Sequence, residues 1–245
     1  MMITSRSNAL VKKIKLLKDK KYRDQENLYI VEGAKSVETA IKFGQDISVV
    51  VGTNYGLSLI DLPSNLKVEI VSDDVFKAIS GESTPQGILA LLVKPENIVK
   101  GSDRSIFLDG VADPGNVGAI IRTAVASGYK DIYITDDSAD AFSPKAVRAS
   151  MTGIFNVNVM RAKRSELLSK IDSEIIIADM DGVNVFNEKA PKNFCLVIGN
   201  EANGVSETVK EKASIIVSIP MEKEMESLNA SVSAGILMYA LKQKF

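Results

Sequence analysis

The rhythm of the chain after residue 105 constrains its fold most. Short apolar runs at 106–109, 131–135, 157–159, 174–178, 194–198 and 215–219 read as strands. Between them lie helical stretches at 116–127, 143–150 and 166–171, a short one near Ser206, and a final helix ending near Leu241. Runs this short and this apolar are strands buried on both faces. All but 174–178 are followed by a helix and not by a tight turn, which predicts a parallel sheet covered by helices and places the chain in the α/β class. In such a sheet the loops that follow strands gather at one rim, where ligands bind.

The last of these units is the most informative. Residues 215–217 lead into Ile219-Pro-Met221, and Pro220 ends the ladder because it has no N–H to donate. A polar loop runs from Glu222 to Glu226. Ser227 or Asn229 then caps the final helix, along which Leu228, Val232, Ile236 and Tyr239 recur at helical spacing and predict its buried face.

The residues before 105 form a separate, smaller α/β unit. Ser7 can cap a first helix, with Leu10, Ile14 and Leu17 on its apolar side and lysines around the rest. Strands are expected at 28–31, 47–51, 68–71 and 88–93. Helices are expected from Gly33 to Gly44 and at 72–79, and a loop at Gly81-Glu-Ser-Thr-Pro-Gln-Gly87. The polar, breaker-rich stretch 96–104 reads as a linker. The expected organisation is a first domain at 1–95, a linker at 96–104 and a second domain at 105–245.

Composition matters for what it excludes. The chain of 245 residues has no histidine and one cysteine. That rules out a Ser-His-Asp triad, an imidazole base and, in practice, a zinc site, so no metal is expected. Any chemistry falls to Arg, Lys, Asp, Glu, Ser, Asn or backbone. Cys195, inside the apolar run 194–198, reads as an inert buried thiol. No run approaches the roughly 18 to 20 apolar residues of a membrane helix, and the first residues have no signal-peptide core. A cytoplasmic protein without membrane contact is expected. The net charge of −1 is uneven: residues 1–23 carry eight basic side chains against Asp19, a net of +7, which leaves −8 for the rest. That arm suits a polyanion, or it is a solvated helix face.

Three loops of the second domain carry candidate chemistry. The first is Leu108-Asp-Gly-Val-Ala-Asp-Pro-Gly-Asn-Val-Gly-Ala-Ile-Ile-Arg-Thr-Ala124, with Asn116 at the helix start and Arg122 further along it. Its glycine spacing fits neither the dinucleotide fingerprint nor a nucleotide hydrolase phosphate loop, which argues against a nicotinamide dehydrogenase. The second is Ile198-Gly-Asn-Glu-Ala-Asn-Gly-Val-Ser206, with Glu201 between two glycines. The third is 219–229.

Asp113-Pro-Gly-Asn-Val-Gly-Ala-Ile-Ile-Arg122, Ile198-Gly-Asn-Glu-Ala-Asn-Gly-Val-Ser206, Ile219-Pro-Met221 and Glu226-Ser-Leu-Asn229 occur in this order over roughly 105–245. Together they resemble the SpoU (TrmH-like) family of knotted SPOUT RNA methyltransferases. The first unit, through Tyr29-Ile-Val-Glu-Gly33 and Thr84-Pro-Gln-Gly87, is similar to the family's ribosomal-protein-like substrate-binding module. The resemblance implies a trefoil knot in the second domain, a homodimer, and S-adenosylmethionine as methyl donor. It implies an RNA ribose 2′-hydroxyl as acceptor, with 23S ribosomal RNA the leading substrate. A transfer RNA methyltransferase and a non-catalytic RNA-binding knot protein are the alternatives.

The matching positions give Gly199, Ile219, Met221 and Leu228 as cofactor contacts. Arg122, Asn116, Glu201, Ser227 and Asn229 match the family's catalytic set. Lys145 and Arg148 match a segment that faces RNA, and Lys12 and Lys13 lie on the basic first helix. An alcohol is a poor nucleophile until its proton leaves or its developing charge is stabilised. Arginine, with a pKa above about 12, suits anchoring a phosphate and stabilising an oxyanion better than acting as a base. Val125 and Lys223 depart from the commoner family pattern, and Lys223 bears on the cofactor loop.

Overall fold

The computed structural model describes residues 2–224 and 227–242. The chain divides into two compact units, Met1–Pro95 with Phe142–Phe155, and Glu96–Ala141 with Asn156–Phe245.

The first unit begins with α1 (Ala9–Leu16) and α2 (Lys20–Glu26). β1 (Leu28–Glu32), α3 (Ala34–Lys42), β2 (Ile47–Gly52), a single turn α4 (Asn54–Leu57), β3 (Val68–Ile70), α5 (Asp73–Ile79) and β4 (Ile88–Val93) follow. Its sheet is mixed, in the order β1-β4-β2-β3, with β4 antiparallel to both neighbours and β2 parallel to β3. Val11, Ile14 and Leu17 pack with Val75, Phe76 and Ile79 of α5 against Ile30, Val51, Leu89 and Leu91, forming one apolar core.

Two expectations change here. The basic stretch is two helices, not one: Asn8 rather than Ser7 caps α1, and Asp19 caps α2 by accepting from Lys21 N–H at 2.8 Å. Arg23 is only 2% exposed and donates to the carbonyls of Leu17 and Lys18, both at 2.8 Å. It satisfies the open end of α1 and is withdrawn from the cationic surface.

The second unit contains β5 (Arg104–Asp109), α6 (Pro114–Ser127) and β6 (Asp131–Thr135). The chain next forms α7 (Pro144–Ala149), which packs with the first unit although its sequence position suggested the second. β7 (Asn158–Ala162), α8 (Arg164–Leu168), β8 (Glu174–Asn184), β9 (Phe194–Gly199), α9 (Glu207–Lys210), β10 (Ile215–Ser218) and α10 (Ala230–Ala240) complete the unit. All six strands are parallel, in the order β10-β8-β9-β5-β6-β7. Buried Phe107, Ile177, Cys195 and Val197 form part of the core of this sheet. Residues 96–104 are held to it: buried Asp131 accepts from Ser102 N–H at 2.6 Å, Lys100 N–H at 3.1 Å and Asn158 Nδ2 at 2.7 Å.

The buried face of α10 differs from the expected one. Ala230, Ala234, Leu237 and Met238 point inward, whereas Val232 and Tyr239 are each 49% exposed. The helix is apolar nearly all round, so spacing alone could not tell which stripe faces the sheet.

Candidate active site

The connections place three strand ends and three loops at one rim. The chain runs β5-β6-β7 toward one edge and then returns to set β9 beside β5. β5 and β9 end side by side, with Asp109 paired to Gly199. The loops that follow them are cross-tied. Asn200 Nδ2 donates to Gly110 O at 2.8 Å, and Asn200 Oδ1 accepts from the backbone of Ala202 and Asn203. Gly199 has no room for a side chain: a Cβ would sit 2.3 Å from the Gly204 carbonyl carbon and 2.4 Å from Val205 N. The loop folds back so tightly that only glycine fits at its root.

A hydrogen-bond chain joins all three motif loops. Glu201 accepts from Asn116 Nδ2 at 2.8 Å and from Ala112 N–H at 3.1 Å. Asn116 Oδ1 in turn accepts from Asn229 Nδ2 at 3.0 Å. Asn229 Oδ1 caps α10 through Ser231 N–H at 2.9 Å, and Asp113 caps α6 through Asn116 N–H at 3.0 Å. Partial burial pushes the Glu201 carboxyl up, but the Asn116 amide and the surrounding backbone N–H groups outweigh it and hold Glu201 below the usual carboxylate range. It is therefore an acceptor-only anchor at neutral pH, which fixes the amide orientations of Asn116 and Asn229.

Beside this chain lies a cleft of about 540 Å³ at the carboxyl ends of β8, β9 and β10. That lies in the range of roughly 300–1,000 Å³ usual for small-molecule sites. Ile198, Ile219, Leu228 and Leu237 give it apolar walls, and the 199–204 loop offers backbone groups. The cleft exists because β8 breaks register with β10: Ile216 pairs with Ile177, but Val217 pairs with Val183. The skipped residues Ala178–Asp181 line the cleft, and Gly182 lies so close to Val217 that a Cβ would meet its backbone at 2.5–2.7 Å.

Of the expected cofactor contacts, Gly199, Ile219, Met221 and Leu228 all line this cleft, together with Ser227. Asn116, Glu201 and Asn229 meet in the hydrogen-bond chain. Arg122 does not join them. It is exposed on α6, six residues past Asn116 and so about 120° round the helix, with no hydrogen bond or ion pair among the described residues. Glu226 of the third motif lies outside the described residues. Lys12, Lys13, Lys145 and Arg148 all belong to the first unit. Lys12 and Lys145 are exposed; Lys13 pairs with Glu26 at 2.6 Å and Arg148 with Glu82 at 2.5 Å.

Sequence reasoning missed the support behind the loops. Asp109 is 2% exposed, and its carboxylate accepts from Arg164 Nε at 2.5 Å and Ser206 N–H at 2.7 Å. Arg164 also reaches Asp137 at 2.7 Å. An Asp at the end of an apolar strand was the only signal, and its partner Arg164 is 55 residues away.

The site is thus a small-molecule cleft with both apolar and polar lining residues, rimmed by an ordered amide–carboxylate chain on a parallel α/β sheet. Among the described residues no group of three or more His, Cys, Asp or Glu side chains could hold a metal. Residues 103–239 match the model of the SpoU rRNA Methylase family, and residues 8–90 match the MRM3-like substrate binding domain. Over 98% of both chains, the protein is 31% identical to the 23S rRNA (guanosine(2553)-2′-O)-methyltransferase RlmP of Bacillus subtilis. The crystal structure of an AdoMet-bound rRNA methyltransferase from Sinorhizobium meliloti superposes with a TM-score of 0.87, at 27% identity, covering 98% of this chain and 97% of that one. That of an RNA 2′-O ribose methyltransferase gives 0.81, at 27% identity over 98% of each chain.

Fold and site together define an S-adenosylmethionine-dependent RNA methyltransferase of the SPOUT class. The chain belongs to the SpoU rRNA methylase family.

Proposed function

We propose that this protein transfers a methyl group from S-adenosylmethionine to a ribose 2′-hydroxyl of 23S ribosomal RNA. The observation that carries the proposal is the chain Glu201–Asn116–Asn229, which ties all three motif loops together beside a cofactor-sized cleft. Full-length similarity to a 23S rRNA 2′-O-methyltransferase supports the choice of substrate. In the proposed mechanism the sulfonium cofactor supplies the methyl group. Gly199 and its loop hold the cofactor through backbone groups, while Ile219, Met221 and Leu228 enclose it. Apolar walls exclude water from the transfer. Asn116, Ser227 and Asn229 orient the ribose, with Glu201 fixing the amides. Arg122, free of intramolecular partners among the described residues, anchors an RNA phosphate and stabilises the negative charge that develops on the ribose oxygen as its proton passes to solvent and its bond to the methyl group forms.

The first unit is the RNA-binding domain in this proposal, with Lys12, Lys13, Lys145 and Arg148 as phosphate contacts; the match to a substrate binding domain supports it. A homodimer is part of the same proposal, supported by the exposed apolar Val232 and Tyr239 of α10. So are a trefoil knot in the second unit, supported by the family's fold, and a cytoplasmic location, where ribosomal RNA is available. No helix among the described residues is long and apolar enough to cross a membrane.

The test is transfer of labelled methyl to deproteinised 23S, 16S and transfer RNA, read as nucleosides by mass spectrometry. A 2′-O-methyl nucleoside appearing only in the 23S pool is expected. A methylated base, or a product confined to transfer RNA, would overturn the assignment.

A further inference from the structure

One part of the cleft is left over by these roles. Among the described residues its lining holds one cationic side chain, Lys210 at the end of α9, beside the carboxylates of Asp179, Asp181 and Glu201. Glu201 is committed to Asn116 and Ala112. Lys210 Nζ lies 3.3 Å from Asp179 Oδ2 and 3.5 Å from Glu207 Oε1. Asp179 is held in turn by the Asp181 N–H, at 3.3 Å from its other oxygen. Both members are partly exposed, at 33% for Lys210 and 23% for Asp179, so neither is sealed into the fold.

The placement has a structural cause. Asp179 lies in the segment of β8 that β10 skips, and Lys210 ends the short helix that follows the Gly199–Val205 loop. Two separate chain segments therefore bring an ammonium and a carboxylate together in the lining of the cleft. An exposed ion pair contributes little to stability. Two fixed opposite charges do, however, match a ligand group that carries a carboxylate and an ammonium of its own. The amino-acid tail of an S-adenosylmethionine-type ligand is such a group.

We propose that Lys210 and Asp179 together recognise the amino-acid tail of the cofactor, Lys210 donating to its carboxylate and Asp179 accepting from its ammonium. The pair opens on binding, and each partner exchanges one charge-assisted contact for another. Because this rests on reading the cleft as the S-adenosylmethionine site, the test separates the two. S-adenosylhomocysteine keeps the tail, whereas 5′-methylthioadenosine keeps the nucleoside and thioether but lacks it. Titration calorimetry of both ligands is run on the wild-type protein, Lys210→Met and Asp179→Asn.

Each variant is expected to weaken S-adenosylhomocysteine by about tenfold or more, the range for a hydrogen bond to a charged group, and to leave 5′-methylthioadenosine within about twofold. Retained binding of the tail-less ligand also shows that the variant is folded. Equal loss for both ligands would move the pair to the nucleoside or to the scaffold, and unchanged binding of both would give it no role; either result overturns the inference alone. If the wild-type protein binds neither ligand, the cofactor reading fails and the inference with it.

Discussion

At the scale of single residues, the account turns on Glu201, Asn116 and Arg122, which have different duties. Glu201 orders the amides. Replacing it with Gln puts an NH₂ group against either the Asn116 amide or the Ala112 N–H, so one contact is lost. Glu201→Gln is expected to lower the transfer rate about 10- to 100-fold through misplacement, measured under single-turnover conditions. The folded carboxyl titrates below its ordinary 4.5, so its contribution is complete above that value and is lost only as pH falls through the depressed folded value. The rate profile of the wild type should therefore show no limb from Glu201 between pH 5 and 9. Arg122→Ala is expected to cut transfer by about 100-fold or more while calorimetry shows nearly unchanged S-adenosylmethionine binding. Equal loss of both would remove Arg122 from the chemistry.

At the scale of elements, most strands and helices were legible because each strand is an apolar run closed by a breaker. Ser72 and Ser143 cap the helices expected at 72–79 and 143–150, and Gly128 ends α6 in a left-handed turn. What failed was choosing among equivalent apolar stripes, as on α10, and seeing that the basic stretch breaks at Leu17–Asp19. Both depend on tertiary partners that local sequence does not contain. The motif loops could be located, but not the Asn200, Asp109 and Arg164 ties that hold them, because those partners lie far apart in sequence. One substitution tests the root of the second motif loop and another the anchoring of residues 96–104. Gly199→Ala forces a Cβ into the Gly204 and Val205 backbone. It should cost about 1–3 kcal/mol in denaturant unfolding and weaken cofactor binding. Asp131 has no such loop role. Burial raises its carboxyl pKa, but the Ser102, Asn158 and Lys100 donors hold it lower overall. Its stabilisation is complete above the ordinary 3.8 and fades as pH falls through the folded value. Asp131→Asn should flatten the acid limb of the stability curve.

At the scale of the whole molecule, the proposed RNA-binding cations and the proposed catalytic polar groups belong to different units. Lys12, Lys13, Lys145 and Arg148 lie in one unit and the Glu201 network in the other. Position in sequence suggested otherwise for the 142–155 segment, because a chain that leaves a unit and returns leaves no mark in local pattern. If the exposed Val232 and Tyr239 meet a second copy, Val232→Glu with Tyr239→Glu should shift the protein to monomer in sedimentation experiments. Unchanged mass would remove α10 from the interface. The claim that joins these scales is ribose methylation of 23S RNA by this site. The most direct measurement maps 2′-O-methyl nucleotides in 23S RNA from cells with the gene, without it, and without it but carrying either the wild type or Arg122→Ala. One 2′-O-methyl nucleotide should vanish on deletion, return with the wild type and stay absent with the variant. A 2′-O-methyl pattern unchanged by deletion, or loss of a base methyl instead, would contradict the account.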